Sequence, residues 1–322
     1  MAQVPAALVL ADATAALPRL HEIVQRFRGP RELRAAAAHA ISGLARELDG
    51  DLLDALLGVA KRDVDVAARH AAILALGELA AKSGPQLDAK LAATVATFQF
   101  DGVQGRLRHA ADVPWHAIAA GLFARGGHPL AREVVARLRE VADEAAALDA
   151  RAAAMLALGL ARDRESLSRF RREVAGAAIT PVMVNAIYAT GLVGASAERD
   201  ALLAFCRDSA DPRLGFAAAY SLGCLADASI LPPLVDALVA TNSEPVRGAL
   251  SRALGEIGDR RVVPALEGIA FDAEHPDPTR ERALAALGVA AQHADVAWNA
   301  PLRHALFAGT STPTLAFVSS LF

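Results

Sequence analysis

Aromatic residues make up only 5% of this chain, with two tryptophans and two tyrosines among them. Together with the scarcity of β-branched residues, this argues against strands, whose pleated, half-buried surfaces favour those side chains. Cysteine is nearly absent as well. Cys206 and Cys224 cannot staple a chain of 322 residues, and neither belongs to a paired metal-ligand pattern, so a disulfide framework is excluded. No sign of charge prevails, since 33 Lys and Arg face 36 Asp and Glu, giving a net charge of -3 and a pI of about 6.3. That excludes the broad basic field of an indiscriminate nucleic-acid binder and also an acidic tail. Long hydrophobic runs are missing: Ala152 to Ala161 is among the longest and falls far short of the roughly 20 residues that cross a bilayer. Met1 to Leu10 is apolar but lacks the positively charged start of a secretory signal, and Asp12 interrupts it soon afterwards. The expectation is a reduced, cytoplasmic protein, although a mature exported chain would read the same way.

What the chain has in abundance is small and aliphatic. Hydrophobic residues are 54% of it, and with so few aromatics these are mostly alanine and leucine, strong helix formers. A segment of the form R-x-A-A-x-x-A-L-G-x-L recurs throughout, most clearly at Arg69 to Leu79, Arg151 to Gly159, Arg247 to Ile257 and Arg280 to Gly288. Its glycines fall at 43, 77, 121, 159, 191, 223, 255 and 288, spaced 34, 44, 38, 32, 32, 32 and 33 residues apart. A period of this length marks a repeat array. Residues 229–258 show the unit: a first helix, helix A, over Ser229 to Ala240; a turn at Asn242-Ser243-Glu244-Pro245; and a second helix, helix B, over Val246 to Ile257. Pro245 suits a first helical turn, where its missing N–H would be unpaired anyway. Asp211-Pro212 and Asp277-Pro278 repeat that start signal, while Asp163, Asp227 and Asp259 stand where they can cap the next helix A. No such pair of helices buries both of its faces alone. Stacking the units supplies the core.

The segment VRGALSRALGEIGD, Val246 to Asp259, resembles the HEAT-repeat family, in particular its short bacterial type also seen in phycobilisome-lyase-like proteins, and the resemblance extends over roughly residues 12–307. It implies an all-α fold: a right-handed α-solenoid of about eight two-helix repeats over residues 1–322, with helix A on the convex side and helix B on the concave side. The pattern weakens between Pro85 and Pro114, where the glycine spacing widens to 44. A distorted third repeat with a loop at 101–112 is expected there. At the far end, 295–322 reads as a partial ninth repeat whose apolar finish, Val318, Leu321 and Phe322, calls for docking back on the array or pairing in a homodimer.

The same scaffold carries adaptors, lyases and a few enzymes, so the residues must decide. A deoxyhypusine-hydroxylase-like diiron site needs His-Glu pairs in several repeats, and the chain has one, His21-Glu22. A DNA-glycosylase-like groove needs a basic field, which the net charge denies despite Trp115, His116 and Arg125. Nothing marks the chromophore pocket of a bilin lyase. The histidines are scattered rather than set at metal-ligand spacing. No catalytic residue, metal or cofactor is therefore assigned. Arg69, Arg151, Arg247 and Arg280 stand eight residues before their glycines. They form a structural ladder that ties helix starts to turn carbonyls or carboxylates, the alternative being a row of anion sites.

The positions seven and three before, and one after, each glycine share one stripe of helix B. In the seventh repeat they are Gly248, Arg252 and Glu256, a solvated face. In the third to sixth they read Pro114, Ile118, Leu122; Ala152, Leu156, Leu160; Val184, Tyr188, Leu192; and Phe216, Tyr220, Cys224. An exposed apolar patch of that extent marks an interaction site. The sequence therefore predicts a non-catalytic scaffold that binds a helix or peptide of another protein on this stripe, with neither nucleic acid nor membrane as partner. The alternatives are an enzyme or lyase subunit of the same class, a structural spacer, and a stripe that is merely core.

Overall fold

The structure, a computed structural model, describes residues 13–26, 30–176, 178–208, 211–225, 228–257 and 259–292. Among them are sixteen α-helices and no strand. They fall into eight consecutive pairs: α1 (Leu17–Arg26) and α2 (Arg31–Leu44), α3 (Gly50–Arg62) and α4 (Val66–Ser83), α5 (Ala89–Val103) and α6 (Val113–Arg125), α7 (Ala131–Glu144) and α8 (Leu148–Leu160), α9 (Leu167–Val174) and α10 (Pro181–Val193), α11 (Arg199–Asp208) and α12 (Pro212–Leu225), α13 (Leu231–Ala240) and α14 (Glu244–Ile257), α15 (Val263–Phe271) and α16 (Asp277–Gln292). Odd numbers are first helices and even numbers second helices. Each second helix carries one glycine of the repeat.

Side-chain caps mark the starts of α3, α4, α5 and α10. The carboxylate of Asp49 accepts from the Leu52 N–H, that of Asp65 from Ala68 and that of Asp88 from Lys90 and Leu91, while the Thr180 hydroxyl accepts from Met183. Each thereby satisfies a donor that the first turn leaves unpaired. Asp163 and Asp259 act one step earlier than expected, within short 3-10 turns that lead into the first helices: Asp163 accepts from the Ser166 hydroxyl and Asp259 from the Arg261 N–H. Asp277 is already helical and pairs with Arg280. Asp227 and the expected partial repeat 295–322, with its docking or dimer contact, lie outside the described residues.

The chain divides into two compact units, Met1–Ala161 and Arg162–Phe322, where the sequence suggests one continuous array. In the first unit α2, α4, α6 and α8 pack in succession; in the second, α10, α12, α14 and α16 do. The recurring glycines make this close approach feasible. A Cβ on Gly77 would lie 2.5 Å from the Ala119 carbonyl oxygen, and one on Gly121 the same distance from that of Ala157. In the second unit Gly191 faces the Ser221 backbone and Gly223 that of Ala253 in the same way. Gly43 meets nothing, and belongs to the pattern without serving its contact.

The arginine ladder closes the open ends of the first helices. Arg69 donates to the carbonyls of Asp63 and Val64, Arg151 to Ala142, Arg247 to Thr241 and Arg280 to Ala270. These carbonyls end the preceding first helix and have no partner within it. Two carboxylates join the ladder in the first unit. Arg34 grips Asp63 through two bonds of 2.6 and 2.8 Å, and Arg69 grips Asp112 at 2.8 and 3.1 Å.

The third repeat differs from expectation. Helix α5 runs through Asp101 to Val103, so only Gln104 to His109 lie outside the α- and 3-10 helices. Asp112, placed by sequence in the loop, is buried and takes a third bond, 2.9 Å, from His70 Nε2. His70 stacks on Trp115, with ring centroids 4.4 Å apart, and the neighbouring His116 Nδ1 donates to Gln99 Oε1 at 2.8 Å. Trp115 and His116 are thus interior groups and line no nucleic-acid groove.

Candidate binding groove

The predicted partner stripe must be corrected. Ile118, Leu122, Leu156 and Leu160 of the first unit are core, as are Val184, Tyr188, Leu192 and Tyr220 of the second, with exposures between 0 and 8%. The reason is visible in their helices. α6 is buried from Pro114 to Ala124, α8 from Ala152 to Leu160 and α10 from Val182 to Val193, on every side and not on one face. A helix apolar all round is an interior helix. Spacing alone selects a stripe from such a helix without showing that its other faces are equally apolar. Tyr188 and Tyr220 meet edge to face at 5.5 Å, and burial pushes both hydroxyls well above their ordinary pKa, so they stay neutral.

Phe216 differs from the other eight. It lies half-buried in the second turn of α12 and forms one wall of an open groove of about 400 Å³. The other walls come from α14, with Glu244, Pro245, Gly248, Ala249 and Arg252, and from α16, with Arg282. Three consecutive second helices therefore build the groove. Gly248 gives it depth: a Cβ there would approach the Arg282 guanidinium at 3.8 Å, and anything larger would fill the space. The Glu244 carboxylate accepts from Arg282 Nε at 2.9 Å and from Arg247 Nη1 at 2.8 Å. These two bonds hold its pKa below the usual carboxylate value and fix the Arg282 side chain along one edge. Arg252 stands exposed. An aromatic wall beside two guanidinium groups suits an apolar side chain accompanied by a carboxylate.

This part of the chain also has recognisable relatives. Residues 199–288, which hold the whole groove, match the family model described as HEAT repeats. These residues are HEAT repeats. No curated protein matches the chain. Among solved structures, human deoxyhypusine hydroxylase in complex with glycerol is 17% identical over 87% of this chain and 97% of its own, with a TM-score of 0.36. YibA of Escherichia coli is 14% identical over 86% and 96%, at 0.46. The complex of CpcE and CpcF of phycocyanin lyase from Nostoc is 18% identical over 93% of each chain, at 0.40. No role passes from these proteins to this chain at such identities and scores. In the HEAT repeats of 199–288 the sequence signal for the groove is Gly248 and Arg252, two stripe positions outside the buried core. What spacing could not reveal is that Phe216 and Arg282, from the repeats on either side, complete it.

Across the molecule, no helix is long and apolar enough to cross a membrane, and no group of three or more His, Cys, Asp and Glu side chains could hold a metal ion, both statements being of the described residues.

Proposed function

We propose that the chain is a non-catalytic scaffold that holds a helix or peptide of another protein on the face of its second helices, with the groove at Phe216 as the point of attachment. The observation that carries this reading is the groove itself. Phe216, Gly248 and Arg252 occupy stripe positions that are buried in α6, α8 and α10 but open to a cavity here. An aromatic anchor ringed by arginines has the composition of an interface hot spot. The bound segment supplies an apolar side chain against Phe216 and an acidic one between Arg252 and Arg282.

Affinity capture from the source cells, comparing wild type with Gly248→Trp and Phe216→Ala, tests the reading. Gly248→Trp fills the groove and Phe216→Ala removes its wall, and both leave the helical circular dichroism unchanged. The same protein must be lost from both captures. A partner retained by both variants places the interaction elsewhere, and iron or zinc at one atom per chain in the purified protein would overturn the non-catalytic reading.

A further inference from the structure

The first helices of the second unit leave an opening of their own. α9 has only eight residues, and Ala201 and Ala204 of α11 are exposed. The space between the two helices is a cavity of about 550 Å³. Val174 and Ala175 wall it on one side, and Ala201, Leu202, Ala204 and Phe205 on the other, with Thr190 of α10 also in the lining. That volume lies in the range of sites that take small molecules, roughly 300–1,000 Å³.

The lining decides what the buried part of an occupant must be. Thr190 brings the one hydroxyl, and it is spent on the Ala186 carbonyl at 2.9 Å. Arg171 and Glu198, which pair with each other at 2.6 Å, are the charged groups of the lining. Water inside such a cavity finds few partners and is readily displaced by hydrocarbon. The pair in turn decides what the occupant's end must be. Glu198 Oε1 engages Nε and Nη2 of Arg171, and no other acceptor among the described residues takes Nη1. Arg171 is 55% exposed against 23% for Glu198, so the free side of the pair is cationic. The helix that carries it, α9, has three arginines to one glutamate in a chain of net charge -3.

From this geometry we propose that the cavity between α9 and α11 binds an amphiphilic anion, its aliphatic chain lying against Val174, Ala204 and Phe205 and its head group on Arg171 Nη1. Carboxylate and phosphate heads share the required chemistry, since both accept from a guanidinium. The site shares no residue with the groove at Phe216, and it stands or falls independently of that reading.

Calorimetric titration of the full chain with dodecanoate, below the concentration at which it forms micelles, tests the site. Dodecyl phosphate and dodecyltrimethylammonium serve as parallel probes. One dodecanoate or one dodecyl phosphate per chain is expected, the tighter of the two identifying the head group. Dodecyltrimethylammonium should bind at least about tenfold more weakly, and Arg171→Gln should weaken the anion by about tenfold, the loss of one charge-assisted bond. Ala204→Trp, at an exposed position, should abolish binding by filling the cavity; Ala201→Phe provides a second filling variant should the first disturb the fold. Lack of saturable binding, equal affinity for the cationic amphiphile, or binding undiminished when the cavity is filled would each overturn the proposal.

Discussion

Replacing Asp112 by asparagine tests the interior of the first unit most directly. The carboxylate is 3% exposed and accepts three bonds, from Arg69 Nε, Arg69 Nη2 and His70 Nε2, at 2.8, 3.1 and 2.9 Å. Asparagine keeps the shape and one acceptor but removes the negative charge, leaving Arg69, itself 3% exposed, as a buried cation without a counter-ion. Stranding one member of a buried pair costs about 3–5 kcal/mol, whereas replacing both members by apolar groups is often neutral. A loss of about 3–5 kcal/mol is therefore expected for Asp112→Asn, with at least half of it recovered in the double variant Arg69→Met/Asp112→Leu.

Acid titration approaches the same interaction from another side. Burial by itself raises the Asp112 pKa, but the bonds from His70 and Arg69 and their charge prevail and hold it at about 2. The folded state therefore binds this proton less readily than the unfolded chain does. The associated stability, about 2 kcal/mol, is fully present above pH 3.8 and is lost as the pH falls through 2. Urea unfolding followed by far-ultraviolet circular dichroism, at pH 7 and at intervals down to pH 2, measures both effects. A loss below about 1 kcal/mol for Asp112→Asn at pH 7, or a double variant no more stable than the single one, would refute the buried-pair argument.

Three further outcomes follow from the same packing. Burial lowers the His116 pKa to about 4 from an ordinary 6.5, so protonation favours the unfolded chain; His116 should contribute a loss of about 3 kcal/mol as the pH drops from 6.5 to 4, and His116→Gln should lessen the pH dependence of the urea midpoint over that interval, His39, lowered to about 4 as well, supplying what remains. Gly121→Ala drives a Cβ to 2.5 Å from the Ala157 carbonyl oxygen and should cost about 1–3 kcal/mol, whereas Gly43→Ala meets nothing and should add up to about 1 kcal/mol, a difference in sign that thermal unfolding reads directly. Tyr188→Glu places a carboxylate at a position 1% exposed and should cost more than about 3 kcal/mol, whereas Phe216→Glu at the groove should stay within about 1 kcal/mol of wild type; equal losses in denaturant titrations would mean that the two positions were wrongly distinguished.

Much of the fold is legible in the sequence because one physical constraint repeats. A second helix that packs on its neighbour through backbone needs a glycine at the crossing, so the glycines at 77, 121, 191 and 223 announce both the period and the contact. Arg69, Arg151, Arg247 and Arg280 are legible for a related reason, since each closes the carbonyl end of the first helix in its own repeat. Partners across repeats are not local and leave no mark in the spacing. Asp112 lies 43 residues from Arg69 beyond an irregular stretch, and no spacing rule connects them. Most of the stripe is buried, and spacing hides that for a different reason. Periodicity tells which residues share a face, but whether that face meets solvent depends on what packs opposite, and for Tyr188 and Phe216 the answers differ although both hold aromatic stripe positions.

That difference is why the proposed partner site is placed in the second unit. Where a second helix is apolar all round, as α10 is from Val182 to Val193, every side chain is committed to the interior and none is free to recognise a partner. α14 keeps Gly248 and Arg252 outside the core, and with Phe216 and Arg282 they form a surface that folding does not require. On the first helices, Ala201 and Ala204 stand exposed beside the short α9. The groove draws on α12, α14 and α16, the cavity on the segment from α9 to α11. Since no side chain is common to both, occupation of one removes no contact from the other, and the two affinities should combine additively unless α10 or α12 shifts between them. If both proposed sites hold, specificity comes from departures in single repeats, Gly248 where the sixth repeat has Phe216 and a first helix of only eight residues, while the repeat pattern itself supplies only the frame.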